Sequence, residues 1–420
     1  MMKRSVLYMA ALAAMCLTAC RSAEEKAVLE DIGRAGGIYY AYNYADAPET
    51  PAPEGYEPFY LSHYGRHGSR YLTEDARYKR VLDLYSAEAQ KGNLTGKGQD
   101  FLRRLEALWE EVEGHGGQLS ELGRQQHRDI AIRLQDRYPG LFEPGDTLEA
   151  YSSTSGRCQA SMEAFLSTFP EELRISRKSD DVTMKTLVPK NAAVDSIASD
   201  NAPWREEVYE PYKHKHLRPR RALSALLKDP SVVADPIKAM SDLYYIVVGM
   251  QDIPSSLDFS DILTERELLD CWKCVSTRMY YVNTRCPEGS LIGATSVIPL
   301  LEDIVSKADG AVDGGSPCKA SLRFGHDTIL IRLLSLMGVE CCVYEENDVE
   351  KYWKAWQDWN VSPMGANLQM VFYRNGEDIM VKLMLNEREV SIPALGEGPY
   401  YDWKTLREHL TACPSPLRSV

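Results

Sequence analysis

The segment Phe59-Tyr60-Leu61-Ser62-His63-Tyr64-Gly65-Arg66-His67-Gly68-Ser69-Arg70 starts as a short apolar run and breaks into a glycine-containing turn. This pattern predicts a strand over 59–62 and a loop from His63 onward. Within that loop two arginines flank a histidine inside five residues, and a glycine follows the histidine. Glycine lets the backbone approach a ligand closely. Guanidinium forks bind phosphate oxygens bidentately, which His and Lys do not match. A neutral imidazole in such a field can attack phosphorus and hold the phosphoryl group. Strand ends of open α/β sheets are also where ligands sit. A solvated basic loop after an edge strand has the same composition, and spacing alone leaves both readings open.

Outward from this segment, helical periodicity covers 75–91 and 98–113, and Ser120 caps a further amphipathic run to Tyr138. Gly114-His115-Gly116-Gly117 has the glycine content of a phosphate cradle. It follows no strand and lacks the P-loop lysine, so it reads as a linker between helices. A second strand is expected over 148–152, followed by a helix over 157–169. Residues 176–290 are mainly helical in pattern, with many prolines and charges. A late strand at 320–324 enters Gly325-His326-Asp327 and then an apolar helix over 329–337. Segments 368–373 and 379–384 alternate as a hairpin around Asn375-Gly376. The expected fold is α/β: a three-layer sandwich with a central, mainly parallel sheet, built from 51–175 and 291–420. Residues 176–290 would form an inserted, mostly helical cap.

Four ordered segments carry a family resemblance. Arg66-His67-Gly68-Ser69-Arg70-Tyr71 resembles the RHGxR signature of the histidine acid phosphatase branch of the histidine phosphatase superfamily. Leu119-Ser120-Glu121-Leu122-Gly123-Arg124-Gln125-Gln126-His127 is similar to its LTxxGxxQ helix start. Ser153-Thr154-Ser155-Gly156-Arg157 is similar to its second arginine motif, and His326-Asp327-Thr328 to its HD motif. The resemblance spans about residues 58–385. It implies His67 as nucleophile, with Arg66, Arg70, Arg157 and His326 holding the phosphate oxygens. It implies Asp327 as the acid that protonates the leaving oxygen and then the base that activates water, so activity should lean acidic. It implies no metal and no cofactor, because arginines supply the positive charge. Taken singly, Arg157 reads as a helix-start arginine paired with an acid, His326 as a core or surface histidine, and Asp327 as a helix cap. His127 and Gln126 read as structural support, and His63 as a residue standing behind the site.

Tyr71-Leu72 stand where many phytases of this branch have x-Pro, and the Arg-Tyr pair is closer to the multiple inositol polyphosphate phosphatase group. That group usually has His-Ala-Glu where this chain has His326-Asp327. Inositol phosphates are the substrates this mixture implies. A mutase-like phosphotransferase of the same superfamily, or a non-catalytic protein that binds phosphate compounds, are the alternatives. The densest basic stretch, Lys213 to Arg221, either gathers phosphates above the site or is a solvated loop balanced by nearby acids.

At the N-terminus, Lys3 and Arg4 precede an apolar run over 6–14 and then Leu17-Thr18-Ala19-Cys20. This is the pattern of an export signal, residues 1–19, and the last four residues resemble a bacterial lipobox with Cys20 lipidated. A plainly cleaved signal with a chance cysteine is the alternative. Residues 20–50 would be a tether, and the protein an exported, membrane-anchored lipoprotein, periplasmic or cell-surface. Loss of residues 1–19 removes two positive charges and no acids, taking the formal charge from −13 to −15. So acidic a body repels nucleic acid, and its partner should be a small organic phosphate drawn in by a local basic pocket. Eight cysteines lie beyond Cys20. The single CxxC, Cys271 and Cys274, has no second cysteine pair to complete a zinc site.

Overall fold

A computed structural model describes residues 21–284 and 290–412. Its centre is a sheet in the order β3-β2-β4-β1-β5-β6-β7, with β8 beside β6. Strands β1 (Glu57–Arg66), β2 (Thr147–Ser152), β3 (Arg174–Lys178) and β4 (Cys318–Gly325) run parallel to one another. Strands β5 (Asn367–Asn375), β6 (Asp378–Leu385), β7 (Arg388–Glu389) and β8 (Tyr400–Asp402) extend the β1 side antiparallel. The hairpin β5–β6 pairs Asn375 with Asp378, so its two-residue loop is Gly376-Glu377, one position beyond the expected turn.

The sheet is covered on both faces because its strands alternate. Along β1, Leu61 joins a core with Ile130, Leu134, Met162 and Phe165, from the helices Glu121–Arg137 and Gly156–Leu166. Tyr60 and Tyr64 join the opposite core with residues of Ile298–Val312 and Asp327–Met337. Two layers of helix about one sheet make the expected three-layer sandwich. Helices Pro219–Leu226, Pro236–Gly249 and Glu265–Asn283 form a body beside it. Asp75–Gln90 and Gly96–Val112 pack into that same body, so it draws on two stretches of chain.

Three local expectations are corrected. β1 does not stop at Ser62; it continues through Gly65 to Arg66, because β4 and β5 pair with it along that length. β3, with the charged sequence Arg-Ile-Ser-Arg-Lys, lies in a stretch expected to be helical from 176. Residues 21–44, expected within a tether, pack into the body. Ser22 and Glu25 form a reciprocal cap on the helix Ala23–Glu30. Val28, Ala35 and Tyr39 are buried, and Lys273 holds Glu25 at 2.6 Å. The cap and these few apolar anchors order a segment whose overall composition is polar. Cys20 lies outside the described residues. So do Cys286 and Cys413, whereas Cys158, Cys271, Cys274, Cys318 and Cys341 are free thiols and Cys342 Sγ lies 3.8 Å from Cys341 Sγ.

Candidate active site

His67, Ser153 and His326 leave three neighbouring parallel strands at the same level. Arg66 pairs with Gly325 across β1 and β4, and Ser152 with Phe324 across β2 and β4. The backbone carries the register one residue further: His67 N–H donates to Gly325 O at 3.0 Å and Ser153 N–H to Phe324 O at 3.0 Å. Helices after β1 and β2 cover one face and the helix after β4 covers the other, which opens a crevice at these C-terminal ends.

The turn after β1 is gripped from behind. A Cβ on Gly68 would stand 2.4 Å from Gly123 O, and one on Gly123 would stand 2.1 Å from Ser69 O. The two glycines therefore let the turn and the start of helix Glu121–Arg137 touch backbone to backbone. Ser120 caps that helix, and its N–H and hydroxyl both donate to Ser69 O. Gln126 accepts from Ser69 N–H at 2.8 Å and donates to Ser69 Oγ at 3.0 Å. Gln126 is thus the clamp on the turn. His127 and His63 lie deeper, against Phe165 and Phe324. Burial pushes His63 down to about 3 and His127 down to about 4.

His67 is buried, and its Nδ1 lies 3.0 Å from Gly68 O. A carbonyl only accepts, so Nδ1 carries the proton in this contact and Nε2 keeps its lone pair. Burial, then the charges of Arg66, Arg70 and Arg157, hold this imidazole well below its ordinary range. The ring is neutral wherever the protein is folded near neutral pH. His326 stands edge-on to it, with centroids 5.8 Å apart. Its Nε2 is 3.2 Å from Ser153 Oγ, and its N–H donates to Tyr64 OH at 3.1 Å. Burial and then Arg157 bring His326 down to about 4. The Cys158 thiol donates to Gly325 O at 3.2 Å, and burial raises it to about 11.

Arg66 is wholly buried. Nη1 donates to Ile38 O at 2.6 Å and Ser362 O at 2.7 Å, and Nη2 lies 3.0 Å from Asp327 Oδ2. Arg70 donates to Tyr71 O at 2.9 Å and lies 5.0 Å from the centroid of the Tyr39 ring. Arg157, half-buried at the start of its helix, has an Nε without a partner. Asp327 opens helix Asp327–Met337 and accepts Thr328 N–H at 2.7 Å. Burial works to raise its carboxyl, but Arg66, His326 and this bond outweigh it and hold it below the ordinary value. All six residues expected around the phosphate are therefore assembled at one crevice.

Several residues at the site were not singled out from the sequence. Ile38 and Tyr39 come from the supposed tether, Tyr64 from what was taken as loop, and Asp252 from the end of helix Pro236–Gly249. Ser153 lay inside a quoted motif but carried no assigned role. The basic stretch is largely engaged: Lys213 pairs with Glu210, Lys215 and His216 with Glu350, and Arg221 with Glu267. Gly114–Gly117 is a turn between helices, as expected. Cys271 and Cys274 are buried in one helix. Among the described residues, no group of three or more His, Cys, Asp or Glu is arranged to hold a metal ion.

Comparison with known proteins gives concordant results. The profile described as "Histidine phosphatase superfamily (branch 2)" matches residues 65–386. Human multiple inositol polyphosphate phosphatase 1 is 24% identical over 377 residues, covering 82% of this chain and 77% of its own length. The Bifidobacterium longum multiple inositol polyphosphate phosphatase, solved with inositol hexasulfate, superposes with a TM-score of 0.70 at 19% identity, covering 90% of this chain and 98% of that one. The phytase of D. castellii gives 0.70 at 18% identity, over 91% of this chain and 85% of that one.

Proposed function

Since the chain belongs to branch 2 of the histidine phosphatase superfamily, we propose that it is a phosphomonoesterase that hydrolyses inositol polyphosphates through phospho-His67. The observation that carries this reading is the state of His67: a neutral, oriented imidazole with Arg66, Arg70 and Arg157 acting on it at once. The substrate class is supported by the inositol phosphatases and phytases among its relatives.

Each residue then has a step. The guanidiniums and His326 take the non-bridging oxygens and absorb charge as the transition state forms. His67 Nε2 bonds to phosphorus as the P–O ester bond breaks. The proton of Asp327 goes to the leaving oxygen, which departs as an alcohol. Asp327, now a carboxylate, takes a proton from water as that water attacks phosphorus. The P–N bond breaks, phosphate leaves, and His67 regains its lone pair. Nδ1–H stays on Gly68 O throughout, which keeps the reacting nitrogen aimed.

Phosphate release from phytate and from p-nitrophenyl phosphate tests this directly. His67→Ala should lose about a thousandfold or more on both, and acid quenching of the parent should trap an acid-labile phosphoprotein. Parent-like turnover by His67→Ala would end the proposal. Addition of chelator should leave the parent rate unchanged.

The same protein is exported and held at a membrane through lipid on Cys20, on the strength of Lys3, Arg4, the apolar run and the lipobox-like residues before it. Among the described residues no helix is long and apolar enough to cross a membrane. The first packed helix starts three residues after Cys20, so the body would rest close to the lipid surface. Cys20→Ser should abolish lipid labelling and release the protein from membranes; an unlabelled parent would dispose of the anchor.

A further inference from the structure

The proposed chemistry leaves one carboxyl beside the crevice unused. Asp252 ends the short turn after helix Pro236–Gly249 and is 0% exposed. Neither of its carboxylate oxygens has a hydrogen-bond partner of normal length and angle. Other buried acids of the chain are closed off. Asp358 takes Trp272 Nε1, Ser276 Oγ, Trp359 N and Ile38 N, and Glu387 takes Arg133 and Tyr42. A buried acid left open beside positive charge, with no ion pair formed, has no stabilising role of that kind.

Its surroundings are those of the phosphate pocket. The charged and titratable groups that face it are Arg70 and Arg66, from the loop after β1 and from β1 itself, and Tyr78, from helix Asp75–Gln90. Ser69 is the hydroxyl that acts on it. Ser69 Oγ already accepts from Gln126 Nε2, so its own proton is free to turn toward Asp252. The backbone leading to Asp252 is held in place. Gln251 donates to Gly33 O at 3.1 Å and accepts from Ala41 N–H at 3.2 Å, and a Cβ on Gly249 would touch Leu72.

Resting on the phosphomonoesterase reading, we propose that Asp252 is a positioning residue and the proton-accepting counter-charge of the phosphate pocket. Before phosphate binds, its carboxylate draws the Ser69 hydroxyl and offsets Arg66 and Arg70. When a phosphate dianion settles on those guanidiniums, two negative charges compete for them, and Asp252 takes a proton from solvent. Three guanidiniums then face the dianion and Asp327 alone. Burial against Arg70 and Arg66 suits this exchange near neutrality, the carboxyl being pushed up to about 7. Above that pH the ionised form would have to be protonated before phosphate binds well, so Asp252 steepens the alkaline limb beyond the fall that Asp327 imposes.

Asp252→Asn keeps the size and an oxygen for Ser69 while removing the charge. Its kcat/KM on phytate should match the parent within about twofold at pH 5 and exceed it by about tenfold at pH 8, the ratio a group titrating near 7 gives. Calorimetric titration with inorganic phosphate at pH 7, in two buffers of different ionisation enthalpy, should show proton uptake by the parent that falls in the variant. Ser69→Ala, which leaves the carboxylate without its donor, should also move the alkaline limb upward. It supplies the answer if the Asn variant folds poorly. A role in packing alone would lower stability or kcat at every pH without moving the limb. Superimposed pH profiles and equal proton uptake, in an active parent, would overturn the proposal for Asp252. A parent that neither binds phosphate nor releases it from esters would remove the pocket reading itself.

Discussion

Asp327 faces two demands that pull in opposite directions. It is ion-paired with Arg66 and held below the ordinary carboxylate value, so it rests ionised at neutral pH. To serve as acid it must hold a proton when the ester is bound. A phosphate on Arg66 weakens that pair and raises the carboxyl, and lowering the pH supplies the proton. Activity should therefore rise as pH falls from neutrality toward the carboxylate range. Asp327→Asn should slow phytate by about 10²–10⁴-fold. Its loss on p-nitrophenyl phosphate should be far smaller, because that leaving group departs unprotonated. Equal losses on both substrates would remove the role of acid. Gly68 offers a second test at this scale. A methyl there meets Gly123 O at 2.4 Å, so Gly68→Ala should destabilise by about 1–3 kcal/mol and displace Arg70 and His67 together. Urea unfolding and kcat on one preparation would check both effects, and an active, equally stable variant would contradict the backbone contact.

The strands and loops that bear the chemistry were legible because each motif sits where a short strand-like run gives way to small residues. β1 runs into Gly68 and β4 into Gly325, whereas β2 runs into Ser152-Ser153. The segment before β1 was not, since of its apolar side chains only Val28, Ala35 and Tyr39 are buried, too few to give a period in a polar, alanine-rich stretch. β3 was missed for a related reason: as an edge strand it has little apolar face, and its charges read as helix or loop. Asp252 and Asp358 are lone acids far from any motif, and only the fold reveals what surrounds them. Residues 21–44 act as a strap on Arg66, which donates to Ile38 O, while Ile38 N–H is held by Asp358. Asp358→Ala would strand two tryptophan-region donors, a serine and the strap, destabilising by about 3 kcal/mol or more. It should lower kcat as well, because Arg66 loses its fixed support. Stability and kcat unchanged within error would show that the strap does not hold the site.

At the scale of the whole molecule, the chemistry and the fold respond to acid differently. His63, His127 and His326 are buried neutral, at about 3, 4 and 4, and His67 is also held well below its ordinary value. In the unfolded chain each would take a proton near the ordinary value of about 6.5. Below that pH the unfolded state binds more protons than the folded one, so stability is full above about 6.5 and is lost as pH falls toward 4. Asp252, Asp270 and Asp358 work the other way, binding their protons more tightly when folded, but they are three carboxyls against four histidines. Melting temperature should therefore drop steeply between pH 6.5 and 4.5, on the same side of neutrality where turnover should rise. The expected optimum is a compromise, its acid limb set by unfolding and not by protonation of His67. His63 lies between Phe165 and Phe324 and touches no substrate, which makes it the residue to vary. His63→Leu should flatten the stability slope in this range by up to about 1.4 kcal/mol per pH unit, one proton's worth. It should also extend activity at 37 °C to lower pH. A variant whose unfolding free energy falls with pH as steeply as the parent's would mean that His63 is already protonated in the native protein.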